Sequence, residues 1–325
     1  MVSRTQDEIM TGWDNSAPLV TIRCITYNHE KYIMQAIDGF LSQKTNFPFE
    51  VLVHDDASTD DTAVIIRKYE EKFPKIIKPI YQIENQYSKH DGTIVNILNS
   101  LTRGKYIAIC EGDDYWIDEN KLQMQVDFLE NNPEYTMCYT KARQYDQSKQ
   151  KFFKKTIGGS FLDFEDLLVN GNRVPTLTTV YRKDLLDKYQ KEIQPNNKGW
   201  LMGDYPMWLY FAHESKVKFI DKVTAVYRVL ENSASHSVDV EKQIKFQKNV
   251  RDIQVFFSIY FLKIPFDFDE NEDMFNFYFN CLRKEYRADV VQIIEKYFYL
   301  LPNKSLKNRI KFLLSKTEKL FNIVF

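Results

Sequence analysis

The sequence predicts an α/β protein built on a largely parallel sheet with helices on both faces. Three observations carry this. Strand-like and helix-like runs alternate from residue 18 to about 140, the order that successive βαβ units impose. The strand-like runs are short, apolar and rich in β-branched residues, while the runs between them space their apolar residues as a helix does. Two acidic clusters, Asp55-Asp56 and Asp113-Asp114, each close a strand-like run, and open α/β sheets hold their ligands at the carboxyl ends of strands.

Residues 18–27 (PLVTIRCITY) alternate and read as a strand, with Asn28-His29-Glu30 as the turn after it. Residues 32–42 place Ile33, Ala36, Ile37, Phe40 and Leu41 on one helical face. Residues 49–54 form a short apolar strand that runs into Asp55-Asp56-Ala57-Ser58-Thr59-Asp60. A helix follows from 61 to about 73, and Ser58, Thr59 or Asp60 is suited to cap it. Residues 78–82 read as a strand, 94–101 as a helix stopped by Gly104, and 105–110 as a strand ending at Glu111-Gly112-Asp113-Asp114. Residues 121–131 are helical, closed by Asn132-Pro133, and 135–139 return as a strand.

Beyond residue 150 the pattern changes. A short helix is expected over 161–169, a strand over 175–181, a helix starting near Pro206, and strand, turn and strand over 217–229. From Val240 the chain reads as helical. The expected division is a lead-in at 1–17, a main domain at 18–237, and a helical region at 238–325.

Composition narrows the classes. Hydrophobic residues at 44% and charged residues at 27% fit a soluble globular protein. A net charge of -1 gives no argument for nucleic acid as a partner. None of the four cysteines falls in a C-x-x-C pair, which argues against zinc and for reduced thiols in a cytosolic setting. The first 17 residues are polar and lack a signal-peptide core. No run reaches the roughly 18 apolar residues that a membrane span needs. Near the end, Lys304, Lys307, Arg309, Lys311, Lys316 and Lys319 share a helical pattern with Leu306, Ile310 and Leu313. Such a helix suits an anionic membrane surface, and it equally suits docking on its own domain with a solvated basic face.

The acidic clusters suggest chemistry. Carboxylates grouped on the turn Glu111-Gly112-Asp113-Asp114 suit a hard divalent ion such as Mg²⁺ or Mn²⁺, with substrate phosphate and water completing the shell. The plain alternative is a turn whose Asp side chains bond backbone N–H groups. Asp55 and Asp56 are like charges side by side, and a carboxylate there is an acceptor for the ring N–H of a pyrimidine base. Asp204 follows Gly203 at the head of an apolar helix, where it reads as an N-cap and equally as a held catalytic base. His236, in a polar loop, is a candidate metal or phosphate contact against the commoner reading of a solvated histidine. His29, His54, His90 and His213 take the ordinary structural reading.

These motifs together resemble family 2 glycosyltransferases with the GT-A fold, especially members that build bacterial polysaccharides. The resemblance spans residues 18 to about 237. It rests on Val20 to Asn28 (VTIRCITYN), on Glu50 to Asp60 (EVLVHDDASTD), on Gly104 to Ala108 with Glu111 to Trp116 (EGDDYW), and on Gly203-Asp204. It implies that Asp56 binds the uracil or an equivalent base, with Thr26 and Tyr27 beside it. It implies that Asp113 and Asp114 hold the metal and contact the donor, that His236 reaches the metal or diphosphate, and that Asp204 is the general base. Where the family pattern has the first Asp of Asp-x-Asp, this chain has Glu111. Lys89 is the candidate for the basic residue near the diphosphate.

The implied activity is inverting transfer from a nucleotide sugar, a UDP-sugar, to a hydroxyl of a glycan or lipid-linked saccharide. The implied setting is the cytoplasm, with peripheral contact to an anionic membrane surface. The acceptor pocket is expected within 170–215, with Thr176, Thr178, Trp200 and Trp208 as sugar-contacting types. Two other readings compete. A sugar-phosphate nucleotidyltransferase would carry a glycine-rich basic loop after its first strand, where this chain has Thr26-Tyr27-Asn28-His29-Glu30. A degenerate sugar-nucleotide-binding partner subunit would not need Asp113, Asp114 and Asp204 together.

Overall fold

The computed structural model describes residues 2–14, 16–89, 91–230, 240–263, 275–276, 279, 291, 294–295, 298–299 and 306–316. The chain divides by its internal contacts into two units, Met1–Lys263 and Ile264–Phe325. Helix α1 (Gln6–Ile9) opens the first unit with a capping box between Thr5 and Glu8. Its Ile9 joins the main core, so the lead-in is packed against the domain rather than trailing from it.

Strand β1 (Val20–Thr26) is the middle of the parallel region. It lies between β2 (Phe49–Asp55) and β4 (Tyr106–Ile109), and β3 (Ile77–Tyr81) adds outside β2, all parallel. A strand covered on both faces needs apolar residues at nearly every position, and Val20, Ile22 and Cys24 are fully buried. Two polar residues of β1, Thr21 and Arg23, are paired. Thr21 donates to Glu50 at 2.8 Å, and Arg23 donates to Thr102 and Asn99, both at 2.9 Å. Crossover helices α2 (Ile33–Leu41), α3 (Thr62–Lys72) and α4 (Thr93–Leu101) connect these strands.

After β4 the sheet becomes mixed. The short strand β5 (Tyr115–Trp116) and helix α5 (Lys121–Asn131) lead to the long β6 (Tyr135–Asp146). Strand β7 (Lys151–Ile157) returns antiparallel on β6. Helix α6 (Phe164–Asn170) precedes β8 (Val180–Arg182), which runs antiparallel between β4 and β6. Helices α7 (Lys183–Ile193) and α8 (Asp204–Glu214) precede β9 (Lys216–Val229). The order is β3-β2-β1-β4-β8-β6-β9-β5, with β7 on β6. Helix α9 (Val240–Phe257) closes the first unit against α6 and α8.

Several local expectations change. Residues 175–181 are not one strand. A 3-10 turn, Thr176–Thr178, precedes β8 because Thr178 bonds back to the Pro175 carbonyl through its N–H (2.9 Å) and its hydroxyl (2.7 Å). Threonine hydroxyls compete with sheet ladders in this way. Residues 217–229 are not strand, turn and strand. Pairing with β6 carries one strand, Lys216–Val229, through the whole segment with register shifts. Four elements lacked any expectation, α1, β5, β7 and α7. In the second unit, α10 (Leu306–Ser315) stacks Phe312 on Phe298 with centroids 4.0 Å apart. Its other expected basic residues, Lys304 and Lys319, lie outside the described residues.

Candidate functional site

Both acidic turns meet at the carboxyl end of β1. Thr26 is in register with Asp55 across the β1–β2 ladder. The chain leaving β4 continues alongside β1, where Cys110 and Gly112 donate backbone N–H bonds to the carbonyls of Arg23 (3.1 Å) and Ile25 (2.9 Å). Gly112 is required by this approach. A Cβ there would lie 2.6 Å from Thr26 Oγ1 and 3.1 Å from His29 Nδ1. Those same two atoms, Thr26 Oγ1 and His29 Nδ1, are buried without a hydrogen-bond partner among the described residues. Buried polar atoms left unpaired in a folded protein call for an explanation, and here both border the acidic turn. Burial lowers the His29 pKa, while the charge of Asp113 acts against that shift.

The loops after β1 and β2 are stitched together. The side chain of Asn28 accepts from Thr59 N–H at 2.8 Å, and Ser58 Oγ accepts from Asn28 N–H at 2.9 Å. His29 N–H donates to Thr62 Oγ1 at 2.8 Å and Glu30 N–H to Asp60 at 3.0 Å. Asn28 and Ala57 adopt left-handed backbone at φ 55° and 61°. Of the expected caps, Asp60 takes the Thr62 N–H at 3.0 Å at the head of α3. Ser58 instead donates to Asp55 at 2.5 Å, and burial raises the Asp55 pKa.

Asp56 is buried and holds a third loop. Its two oxygens accept the backbone N–H groups of Gln86 (2.8 Å) and Tyr87 (2.9 Å). That fixes the 3-10 turn Tyr87–Lys89 over the end of β2. Tyr27 and Tyr87, 42% and 57% exposed, stand next in chain to the groups that flank this carboxylate. Tyr87 carried no sequence signal, since only folding brings it to Asp56. Lys89 sits on the same turn and pairs with Glu84.

Arg228 of β9 organises the second acidic turn. Its backbone N–H donates to Asp114 Oδ1 at 2.7 Å, and its guanidinium bonds the Asp113 carbonyl and Gln35. The guanidinium also lies over the rings of Tyr32 and Tyr115. Asp114 is buried, and burial pushes its carboxyl well above the usual carboxylate range, helped by the charges of Asp113 and Glu111. Burial, then the charge of Asp113, pushes Glu111 up to about 7, and Asp204 contributes to the same shift. Acids that raise one another's pKa form a site where added positive charge is favourable.

Asp204 is tied to this turn through a short chain of contacts. Trp116, two residues after Asp114, donates its indole N–H to the Leu177 carbonyl at 2.8 Å. Leu177 lies in the 3-10 turn that presents Thr176, whose hydroxyl donates to Asp204 Oδ2 at 2.6 Å. Gly203, not Asp204, holds the N-cap position of α8. Asp204 is the first helical residue, and its Oδ1 accepts Tyr205 N–H at 2.7 Å. Of the expected acceptor-contacting residues, Thr178 and Trp208 are buried in the core, and Trp200 packs on Phe256 and Phe257. Thr176 alone of the four reaches a site carboxylate. His236 lies outside the described residues. Among the described residues, no three His, Cys, Asp or Glu side chains stand together as a ready-made metal group. No helix among them is long and apolar enough to cross a membrane.

Known proteins resemble this chain. An uncharacterized protein of Mycobacterium tuberculosis is 34% identical over 229 residues, covering 69% of this chain and 62% of the relative, so the chain matches under two thirds of that relative's length. Chondroitin synthase of Escherichia coli is 25% identical over 260 residues, 75% of this chain and 34% of that protein. Among solved structures, a mannosyltransferase of Pyrobaculum calidifontis in complex with GDP-Man and Mn²⁺ superposes with a TM-score of 0.54 at 15% identity, covering 99% of this chain and 85% of that one. That likeness is one of fold, the GT-A arrangement of a mixed sheet flanked by helices. The family model described as glycosyl transferase family 2 matches residues 21–190, just over half of the sequence. With its acidic turns gathered at the end of β1, the chain belongs to glycosyl transferase family 2.

Proposed function

We propose that this protein is an inverting glycosyltransferase that moves a sugar from a UDP-sugar to a hydroxyl of a glycan or lipid-linked saccharide during bacterial surface polysaccharide synthesis. The observation that carries the proposal is the link from Asp114 through Trp116, Leu177 and Thr176 to Asp204. It ties a half-buried carboxylate to the strand that follows the acidic turn. Family membership and the relation to chondroitin synthase support the polysaccharide setting.

In this reading Asp56 accepts from the base, using lone pairs that its two backbone bonds leave over. Thr26 and Tyr27 line the same end of β1, and Lys89 approaches the diphosphate. The donor set at the acidic turn is all oxygen, which fits Mg²⁺ or Mn²⁺, and such ions need few protein ligands beside a diphosphate. Asp113, with the remaining oxygen of Asp114 and with His236, would hold the ion. A divalent ion there supplies charge neutralisation for the leaving diphosphate. Asp204 takes the proton of the acceptor hydroxyl, which attacks the anomeric carbon from the face opposite the diphosphate. The Thr176 hydroxyl keeps Asp204 oriented for that transfer.

The test is calorimetric titration with UDP-, GDP-, CMP- and dTDP-sugars, with and without Mn²⁺, followed by turnover. One nucleotide class should bind in a metal-dependent way, and Asp113→Asn should abolish the metal dependence. Asp204→Asn should keep donor affinity and lose about 10²- to 10⁴-fold in kcat. Full turnover by Asp204→Asn, or a product that retains the donor configuration, would overturn the mechanism. No response to any donor would overturn the activity.

A further inference from the structure

The β6–β7 hairpin carries a basic and aromatic surface that the proposed donor site does not use. Residues 141–157 hold six Lys or Arg against a single Asp. Lys149 pairs with Asp146 at 3.3 Å and Lys141 with Asp221 at 2.5 Å. Lys151, Lys154 and Lys155 have no acidic partner among the described residues. Strand β7 is exposed along all but its last position and, among the described residues, pairs only with β6. Phe152 and Phe153 are 39% and 44% exposed. Tyr145 packs edge-on against Phe152, and Arg143 lies 3.7 Å over the same ring.

Lysines on a free edge strand are an ordinary defence against strand pairing in water. Two consecutive exposed phenylalanines on that strand work against the same defence. The combination fits an occupant that takes both apolar rings and positive charge. A soluble acidic glycan offers charge without an apolar phase. The interface of an anionic bilayer offers both, with rings at the acyl boundary and ammonium groups on lipid phosphates. Position adds to the argument. Tyr145 pairs with Phe152 on one side and with Arg228 on the other. The ribbon therefore lies two strands, about 10 Å, from the residue that holds Asp113 and Asp114.

We propose that the β6–β7 hairpin docks this protein on an anionic lipid surface, with the free edge of β7 turned to the bilayer. Phe152 and Phe153 sit at the interface and Lys151, Lys154 and Lys155 on headgroup phosphates. The proposal does not depend on the transferase reading, although it would bring the acidic turn to a lipid-linked acceptor.

The experiment is co-sedimentation of the full chain with phosphatidylcholine vesicles, with and without phosphatidylglycerol, at low and high salt. Binding should require the anionic lipid and weaken with salt. Lys151→Gln/Lys154→Gln/Lys155→Gln should weaken the partition by about a hundredfold. Phe152→Ser/Phe153→Ser should weaken it by about tenfold. The lysine variant should melt as the parent does, and the phenylalanine variant should stay folded, giving up only the Phe152 contacts to Tyr145 and Arg143. Absence of binding by the parent would overturn the proposal. So would equal binding by parent and both variants, which would place any membrane contact elsewhere, as in residues 303–325. Dextran sulfate binding as tight as vesicle binding, with the phenylalanine variant unaffected, would make the partner an acidic glycan instead.

Discussion

Lys121 shows how much a single buried charge can decide. It is fully buried, its ammonium donates to Gln125 at 2.7 Å, and it lies 4.2 Å from the Trp116 ring centroid. Burial lowers its pKa from 10.5 to about 7. Between those two values the unfolded chain binds a proton that the folded chain does not. Stability therefore falls as pH drops from about 10 to about 7 and levels off below that. In denaturant titrations, the stability of the parent relative to Lys121→Met should rise by about 3 kcal/mol between pH 7 and 9.5. A flat difference would mean that the Trp116 ring keeps the ammonium charged. At this scale the sequence was partly legible. Asp56, Asp113 and Asp204 stand out because acids at strand ends and helix heads are locally recognisable. Arg228 and Lys121 do not stand out, because an Arg in a strand or a Lys at a helix start is ordinary until its surroundings are known.

Among the elements, the turn after β4 depends on a close approach to β1. Gly112→Ala would place a methyl group 2.6 Å from Thr26 Oγ1 and 2.7 Å from Thr26 Cβ. Relief requires the acidic turn to move off β1, at a cost of about 1–3 kcal/mol. The expected result is a lower melting temperature together with weakened metal-dependent donor binding. Unchanged donor binding would mean that Thr26 and Asp113 need no fixed spacing. The elements of the first half, β1 to α5 apart from the two-residue β5, were legible to within a residue or two because each carries its own periodicity. Helix α7 carries the same kind of periodicity, since Leu185, Leu186, Tyr189 and Ile193 line one face. The 3-10 turn at Thr176–Thr178 was not legible, because its threonines satisfy strand and turn patterns equally.

Over the whole molecule, the contacts extend the first unit to Lys263. Gln254 of α9 bonds the Leu168 carbonyl, Asn249 accepts from Leu201 N–H at 2.7 Å, and Phe257 is buried. A chain ending at residue 263 should fold and bind donor as the full chain does, by thermal melt and calorimetry. A chain ending at 237 leaves α6 and α8 uncovered and should melt lower or aggregate. Equal behaviour of the two would show that α9 adds nothing to the fold.

The α/β class, the order of the main strands and helices from residue 18 to 140, and the acidic clusters at the ends of β2 and β4 are legible in the amino-acid sequence. These are local properties, written in spacing and turn chemistry over a few residues. Folding alone set Arg228 of β9 against Asp114, more than a hundred residues away in the chain. It also links Asp204 to the residues after that turn through Thr176, Leu177 and Trp116, and leaves β7 as an exposed ribbon. Pairing between distant strands sets those relations, and a strand's own periodicity carries no record of its partner.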